Sequence, residues 1–277
     1  MPATTGITPD WLALRERADA AARAPELLAP LRERLGRAGR LVMADLGGGT
    51  GAMGRWLAPR LPGPQQWVLH DTDHGLLELA GHAPPGPALD GGPVTITARA
   101  GDLTALRAGD LAGTSLVVAS ALLDLLTADE VGRLADACTG AGVPALLTLT
   151  VLGRVRLTPA DELDAVFGVA FNDHQRRVHR GRRLLGPDAA AAAVGAFEHR
   201  GAEVFTADSS WRLGPGDAAL AAAWLRGWVG AAVEQRPELA AEARGYLRRR
   251  LAAADAGALR VVVEHRDLLA VAQAVVR

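Results

Sequence analysis

The spacing of apolar residues changes near residue 40. Before it, Trp11, Leu12 and Leu14 are followed by Leu27, Leu28, Leu31 and Leu35 at intervals near three and four, which predicts one or two helices over residues 10–38. From Leu41 onward the pattern becomes an alternation of short apolar runs and helix-compatible stretches. LVMADL (41–46), QWVLHD (66–71), VTITA (94–98), SLVVAS (115–120) and PALLTLTV (144–151) have strand length and are rich in leucine or β-branched residues. Residues 53–58, 75–80 and 128–139 between them predict helices. This rhythm implies an α/β fold whose parallel, doubly wound sheet is covered on both faces.

Beyond residue 152 the rhythm loosens. Residues 158–183 are polar and rich in arginine, and 187–200 predict an alanine-rich helix that Gly201 ends. A strand AEVFTA (202–207), helical stretches over 218–233 and 237–254, and a last strand LRVVVEH (259–265) complete the pattern. No internal repeat and no long linker divides the chain.

Composition narrows the function classes. With 49% hydrophobic residues the chain can bury one core plus a helical cap. Its apolar runs, such as 143–152 and 189–194, fall short of the roughly 20 residues a bilayer helix needs. Residues 11–35 are charged and helical in pattern, unlike a signal peptide, so the expectation is a cytoplasmic protein without a membrane partner. A formal net charge of −1 provides no general attraction for nucleic acid. The single cysteine, Cys138, makes neither an internal disulfide nor a zinc site, and the histidines show no ligand spacing, so no metal is expected. Every basic residue is arginine. Without lysine there is no Schiff base, no Walker loop and no Tyr-x-x-x-Lys pair.

Candidate chemistry begins where the strand at 41–46 runs into GGGTGAMG (47–54). A strand entering a glycine-rich turn and then a helix is a cofactor site in outline. Gly49, Gly51 and Gly54 satisfy the dinucleotide pattern G-x-G-x-x-G, whereas Asp45, Gly47, Gly49 and Gly51 satisfy D-x-G-x-G-x-G; a plain strand-to-helix turn is the bland alternative. Asp71 ends the second strand about 20 residues after the last glycine, where a carboxylate accepts from ribose hydroxyls. A further carboxylate, Asp102 in ARAGDL (98–103), follows the third strand and suits an adenine amino group.

The segments ADLGGGTG (44–51), VLHDTDHGLLELA (68–80), GDL (101–103) and ASALLDLLTADEV (119–131) resemble the successive motifs of class I S-adenosylmethionine-dependent methyltransferases, and the chain is similar to actinobacterial members that act on small molecules. The resemblance implies a Rossmann-like, doubly wound seven-stranded sheet with a C-terminal antiparallel hairpin formed by 202–207 and 259–265. It implies a helical cap at 1–38 ahead of a methyltransferase domain at 39–277, with acceptor-side insertions near 153–186 and 214–256. By position, Asp45, Gly47, Gly49 and Gly51 would surround the methionine end of S-adenosylmethionine. Asp71 would bind the ribose, Asp102 with Leu103 the adenine, and Thr72 and Ser120 would also lie against the cofactor. Thr72 and Asp73 are more polar than the family's usual pair, and Asp124 stands where many members carry a histidine.

Acceptor-binding groups in such a fold rise above the C-terminal ends of the strands. FNDHQRRVHRGRR (171–183) reads either as a solvated face or as a polar lid. In the lid reading His174 is the catalytic base, with Asp124 as the other candidate, and Arg176 and Arg177 clamp an anionic small-molecule acceptor. Two alternatives stay open: an NAD(P)-dependent oxidoreductase, and a non-catalytic regulatory protein that binds the cofactor.

Overall fold

The computed structural model describes residues 7–36, 39–101 and 106–272. Five strands, β1 (Leu41–Leu46), β2 (Gln65–Asp71), β3 (Val94–Ala100), β4 (Leu116–Ser120) and β5 (Ala145–Thr158), form a parallel sheet in the order β3-β2-β1-β4-β5. Helix α3 (Ala52–Leu57), α4 (His74–His82) and α5 (Ala128–Ala141) return the chain between strands. Period-two alternation divides the sheet's side chains between two cores. Val117 and Ala119 face α5 and α7 (Ala189–Glu198), meeting Leu134, Cys138 and Phe197. Leu116 and Val118 face the other way, toward Leu31, Met53 and Trp56.

The sheet continues past β5 with antiparallel β10 (Arg260–Ala272) and then β8 (Ala202–Asp208). The expected C-terminal antiparallel pair is present, with its register shifted. Strand β8 pairs with residues 266–272, whereas 261–263 pair with a separate short strand, β9 (Trp211–Leu213). The edge strand is broken at Ser209–Ser210, so the seven-stranded path β3-β2-β1-β4-β5-β10-β8 carries β9 as an eighth segment among the described residues. Strands β5 and β10 both run well past their predicted ends because each supplies the other's backbone partners, with two β-bulges absorbing the mismatch.

The longer halves of β5 and β10 support a third core. Helices α6 (Asp164–Gln175), α8 (Ala218–Gln235) and α9 (Ala240–Asp255) pack there around Phe167, Trp228 and Tyr246. Residues 178–183 make a small hairpin of β6 (Val178–His179) and β7 (Arg182–Arg183). The N-terminal segment divides. Helix α1 (Pro9–Ala22) lies against β9 and α8, while α2 (Leu28–Leu35) buries Leu28 and Leu31 on the sheet face.

Candidate functional site

A cleft of about 440 Å³ opens at the C-terminal ends of β1, β2 and β4 and is roofed by α1. Its floor is the glycine loop. Gly47 (φ +66°) and Gly49 (φ +51°) adopt left-handed backbone that other residues resist. A Cβ on Gly47 would stand 3.2 Å from Leu122 Cδ1, and one on Gly49 would stand 3.4 Å from Leu12 Cδ1 of the roof. The loop is pinned to β2, since Gly48 N–H donates to the His70 carbonyl at 3.0 Å and Gly49 N–H donates to Asp71 Oδ2 at 2.9 Å. Asp71 Oδ1 accepts from Asp73 N–H at 3.0 Å. The polar residue at 73 has a local cause: its carboxylate caps α4, accepting from the N–H groups of Gly75 and Leu76.

Below the loop, Asp45 at the end of β1 is 1% exposed, and its Oδ2 has no hydrogen-bond partner among the described residues. Burial pushes its carboxyl up to about 7; nearby Arg23 opposes that rise and Asp71 adds to it. Arg23, at the C-terminal end of α1, is 3% exposed and lies over the Trp56 ring. Its Nη2 donates to Ser120 Oγ at 3.0 Å, whereas Nε and Nη1 have no partner among the described residues. Burial draws the guanidinium pKa below its usual value, with Asp19, Asp267 and Asp45 pulling the other way. The cleft wall thus holds two opposite charges out of water, each incompletely hydrogen-bonded. Such groups are costly to bury without partners.

Strain collects at the same edge. Ala121 and Leu149, just past β4 and within β5, have φ of +52° and +56°, a conformation that costs a non-glycine residue about 1–3 kcal/mol. Ala121 N–H donates to the Thr148 carbonyl at 2.9 Å. Buried Asp267 of β10 holds the second kink and the roof together, accepting from Leu149 N–H at 2.7 Å and from Ala24 N–H at 2.9 Å.

Among the residues singled out from sequence, Asp45, Gly47, Gly49, Asp71, Thr72 and Ser120 line this one cleft. Gly51 (φ +80°) sits just beyond it as the N-cap of α3. Asp102 and Leu103 lie outside the described residues. Asp124 lies in the turn between lining residues Leu122 and Leu125 without itself lining the cleft. Burial raises its carboxyl to about 6, and Gln175 Nε2 approaches it at 3.5 Å.

The 171–183 segment is placed differently from the lid reading. His174, Arg176 and Arg177 do not line the cleft. The His174 imidazole packs toward α8, with Nε2 3.4 Å from Glu234, and burial and Arg177 both lower its pKa. Arg176 makes a two-pronged pair with Asp188 at 2.6 and 2.8 Å, and Arg177 donates to the His174 carbonyl at 2.9 Å. Asp188 takes up the Arg176 fork, and both arginines lie off the cleft lining. Arg182, from the same segment, does line the cleft and pairs with Glu130 at 2.5 Å.

The roof residues Arg15, Asp19 and Arg23 were not singled out from sequence. The available signal is their spacing after Leu12, at 15, 19 and 23, which sets one polar stripe along a helix face that the fold turns inward.

No protein-family model matches the chain, and no curated protein matches it. Solved structures are similar to it at low identity. The YcgJ protein of Bacillus subtilis is 11% identical with a TM-score of 0.48, the match covering 90% of this chain and 99% of that one. A cyclopropane synthase of Mycobacterium tuberculosis is 16% identical with a TM-score of 0.45, covering 95% and 94%. An S-adenosylmethionine-dependent methyltransferase of Thiobacillus denitrificans, in complex with S-adenosylhomocysteine, is 16% identical with a TM-score of 0.42, covering 96% and 99%. Likeness at this level says nothing about activity, which has to be read from the cleft.

Proposed function

We propose that the chain is an S-adenosylmethionine-dependent methyltransferase with a small-molecule acceptor. The observation that carries the reading is the pair Asp45 and Arg23, buried opposite charges with unfilled hydrogen-bonding capacity beside the Asp71 carboxylate. An amino-acid head group satisfies both, its ammonium donating to Asp45 and its carboxylate accepting from Arg23 in charge-assisted bonds. Asp71 retains acceptor capacity beyond its two backbone N–H partners, which suits ribose hydroxyls. A nucleoside carrying an amino-acid head group is the chemical description of S-adenosylmethionine. The described residues therefore fit it, with Gly47, Gly49, Gly51, Thr72 and Ser120 around the site; the resemblance assigns Asp102 and Leu103, outside the described residues, to the adenine.

When bound, the cofactor supplies an electrophilic methyl group: the acceptor's lone pair forms a bond to that carbon as the carbon–sulfur bond breaks, leaving S-adenosylhomocysteine. The chain's part is alignment and exclusion of water. Helix α1 closes the cleft from above, and Leu12, Leu122, Leu125 and Leu126 give it apolar walls. Alignment of this kind supplies about 7–11 kcal/mol of a bimolecular barrier. Where the acceptor has a proton to lose, Asp124 is better placed than His174 to take it, being one residue from the lining.

Two features weigh against a dinucleotide. A pyrophosphate would bring negative charge to a loop flanked by Asp45 and Asp71, and α3, at six residues, offers a short dipole to offset it. In addition, β5 is followed across the sheet by antiparallel β10, whereas a dinucleotide fold completes a second parallel half there. Parallel calorimetric titrations with S-adenosylhomocysteine and NAD test the reading. Binding of the first alone is expected; binding of NAD alone overturns it.

A further inference from the structure

We propose that Arg15 receives a carboxylate of the methyl acceptor, an inference that rests on the cofactor reading above. Helix α1 presents Arg15, Asp19 and Arg23 to the cleft at four-residue intervals, which sets Arg15 two helical turns, about 12 Å along the axis, from Arg23. With the amino-acid head group at Asp45 and Arg23, Arg15 is a second cation in the same cleft, left for the acceptor.

Its guanidinium is oriented before any ligand arrives. Nε donates to Asp19 Oδ2 at 2.8 Å, and Asp19 is fixed by Trp211 Nε1, which donates to Oδ1 at 2.9 Å. The group lies 5.0 Å from the Trp211 ring centroid and 5.8 Å from that of Trp11. Among the described residues Nη1 and Nη2 have no protein partner, so the end-on fork is free, and that geometry matches a carboxylate. Leu12, Leu122, Leu125 and Leu126 line the same cleft, so the acceptor has an apolar body. The positive charge that S-adenosylmethionine would bring to the cleft also favours an anionic acceptor. A dianionic phosphate is the poorer match, because Asp45, Asp71 and Asp19 already line the cleft.

The test uses protein saturated with S-adenosylhomocysteine and titrated with benzoate or its neutral isostere benzamide, read by calorimetry. Wild type is expected to bind benzoate more tightly. Arg15→Gln should abolish the difference while leaving S-adenosylhomocysteine affinity within about twofold, and Arg15→Lys should keep part of the preference. Equal binding of the two probes by wild type, or an undiminished preference in Arg15→Gln, overturns the assignment. A loss of about tenfold or more in S-adenosylhomocysteine affinity on Arg15→Gln also overturns it, placing Arg15 at the cofactor's head group. Wild type that binds no S-adenosylhomocysteine overturns both this and the parent reading.

Discussion

Arg23 donates from Nη2 to Ser120 Oγ across 3.0 Å, tying the end of α1 to the end of β4, and this is the only hydrogen bond its guanidinium makes among the described residues. A charged group so placed is held at the expense of stability. The arrangement makes sense if a ligand completes it.

Arg23→Met should therefore separate binding from stability. Losing a hydrogen bond to a charged group costs about 1.5–3 kcal/mol, or roughly 10- to 150-fold in S-adenosylhomocysteine affinity. The unliganded variant should melt close to wild type, because loss of an incompletely hydrogen-bonded buried cation offsets loss of the charge facing Asp45, whose raised carboxyl takes up a proton instead. Calorimetric titration and thermal denaturation of the same preparation check both halves.

Asp45 predicts a pH dependence of opposite sign for free and bound protein. Its folded pKa, about 7, lies above the ordinary value of 3.8, so the folded state holds the proton more tightly. The unliganded protein then loses stability as pH rises from near 4 to near 7, and levels off above that. Binding an ammonium needs the ionised form, so S-adenosylhomocysteine affinity should rise about tenfold between pH 6 and pH 8. Asp45→Asn should flatten both profiles, measured by thermal melts and titrations across that range.

How much of this was legible depended on how local each signal is. Strand β1 ends where its apolar run ends, and the placement of Asp45 and the glycines follows from a strand meeting a turn within a few residues. Asp71 is legible for the same reason. Arg23 and Asp267 are not, because their roles are set by contacts across 97 and 243 residues of chain. The lengths of β5 and β10 depend on their pairing with each other, which no single run displays. Arginine density over 171–183 suggested a free clamp, but Asp188, twelve residues after Arg176, and Glu130, 52 residues before Arg182, engage those two side chains.

Asp267→Ala is expected to be the most destabilising of the variants considered. It leaves the N–H groups of Ala24 and Leu149 without their partner in a buried site, at about 1–3 kcal/mol each. Denaturant titration should show a lower midpoint with little change in slope.

Gly49→Ala should lose stability and binding together. The residue sits at φ +51°, so a Cβ brings backbone strain of about 1 kcal/mol or more, while its contact with Leu12 of α1 is an ordinary one. Leu12→Ala in the same chain should therefore recover none of the lost stability, as read by paired melts and titrations.

If the buried pair Asp45 and Arg23 takes an amino-acid head group, a ligand without one should bind weakly. Calorimetry compares S-adenosylhomocysteine with 5′-methylthioadenosine, which keeps the nucleoside and thioether but lacks that head group. Wild type is expected to bind S-adenosylhomocysteine at least about 100-fold more tightly, with Arg23→Met and Asp45→Asn each narrowing the gap by roughly tenfold or more. Equal affinity for the two ligands, or a gap that both variants leave unchanged, rules the head-group site out.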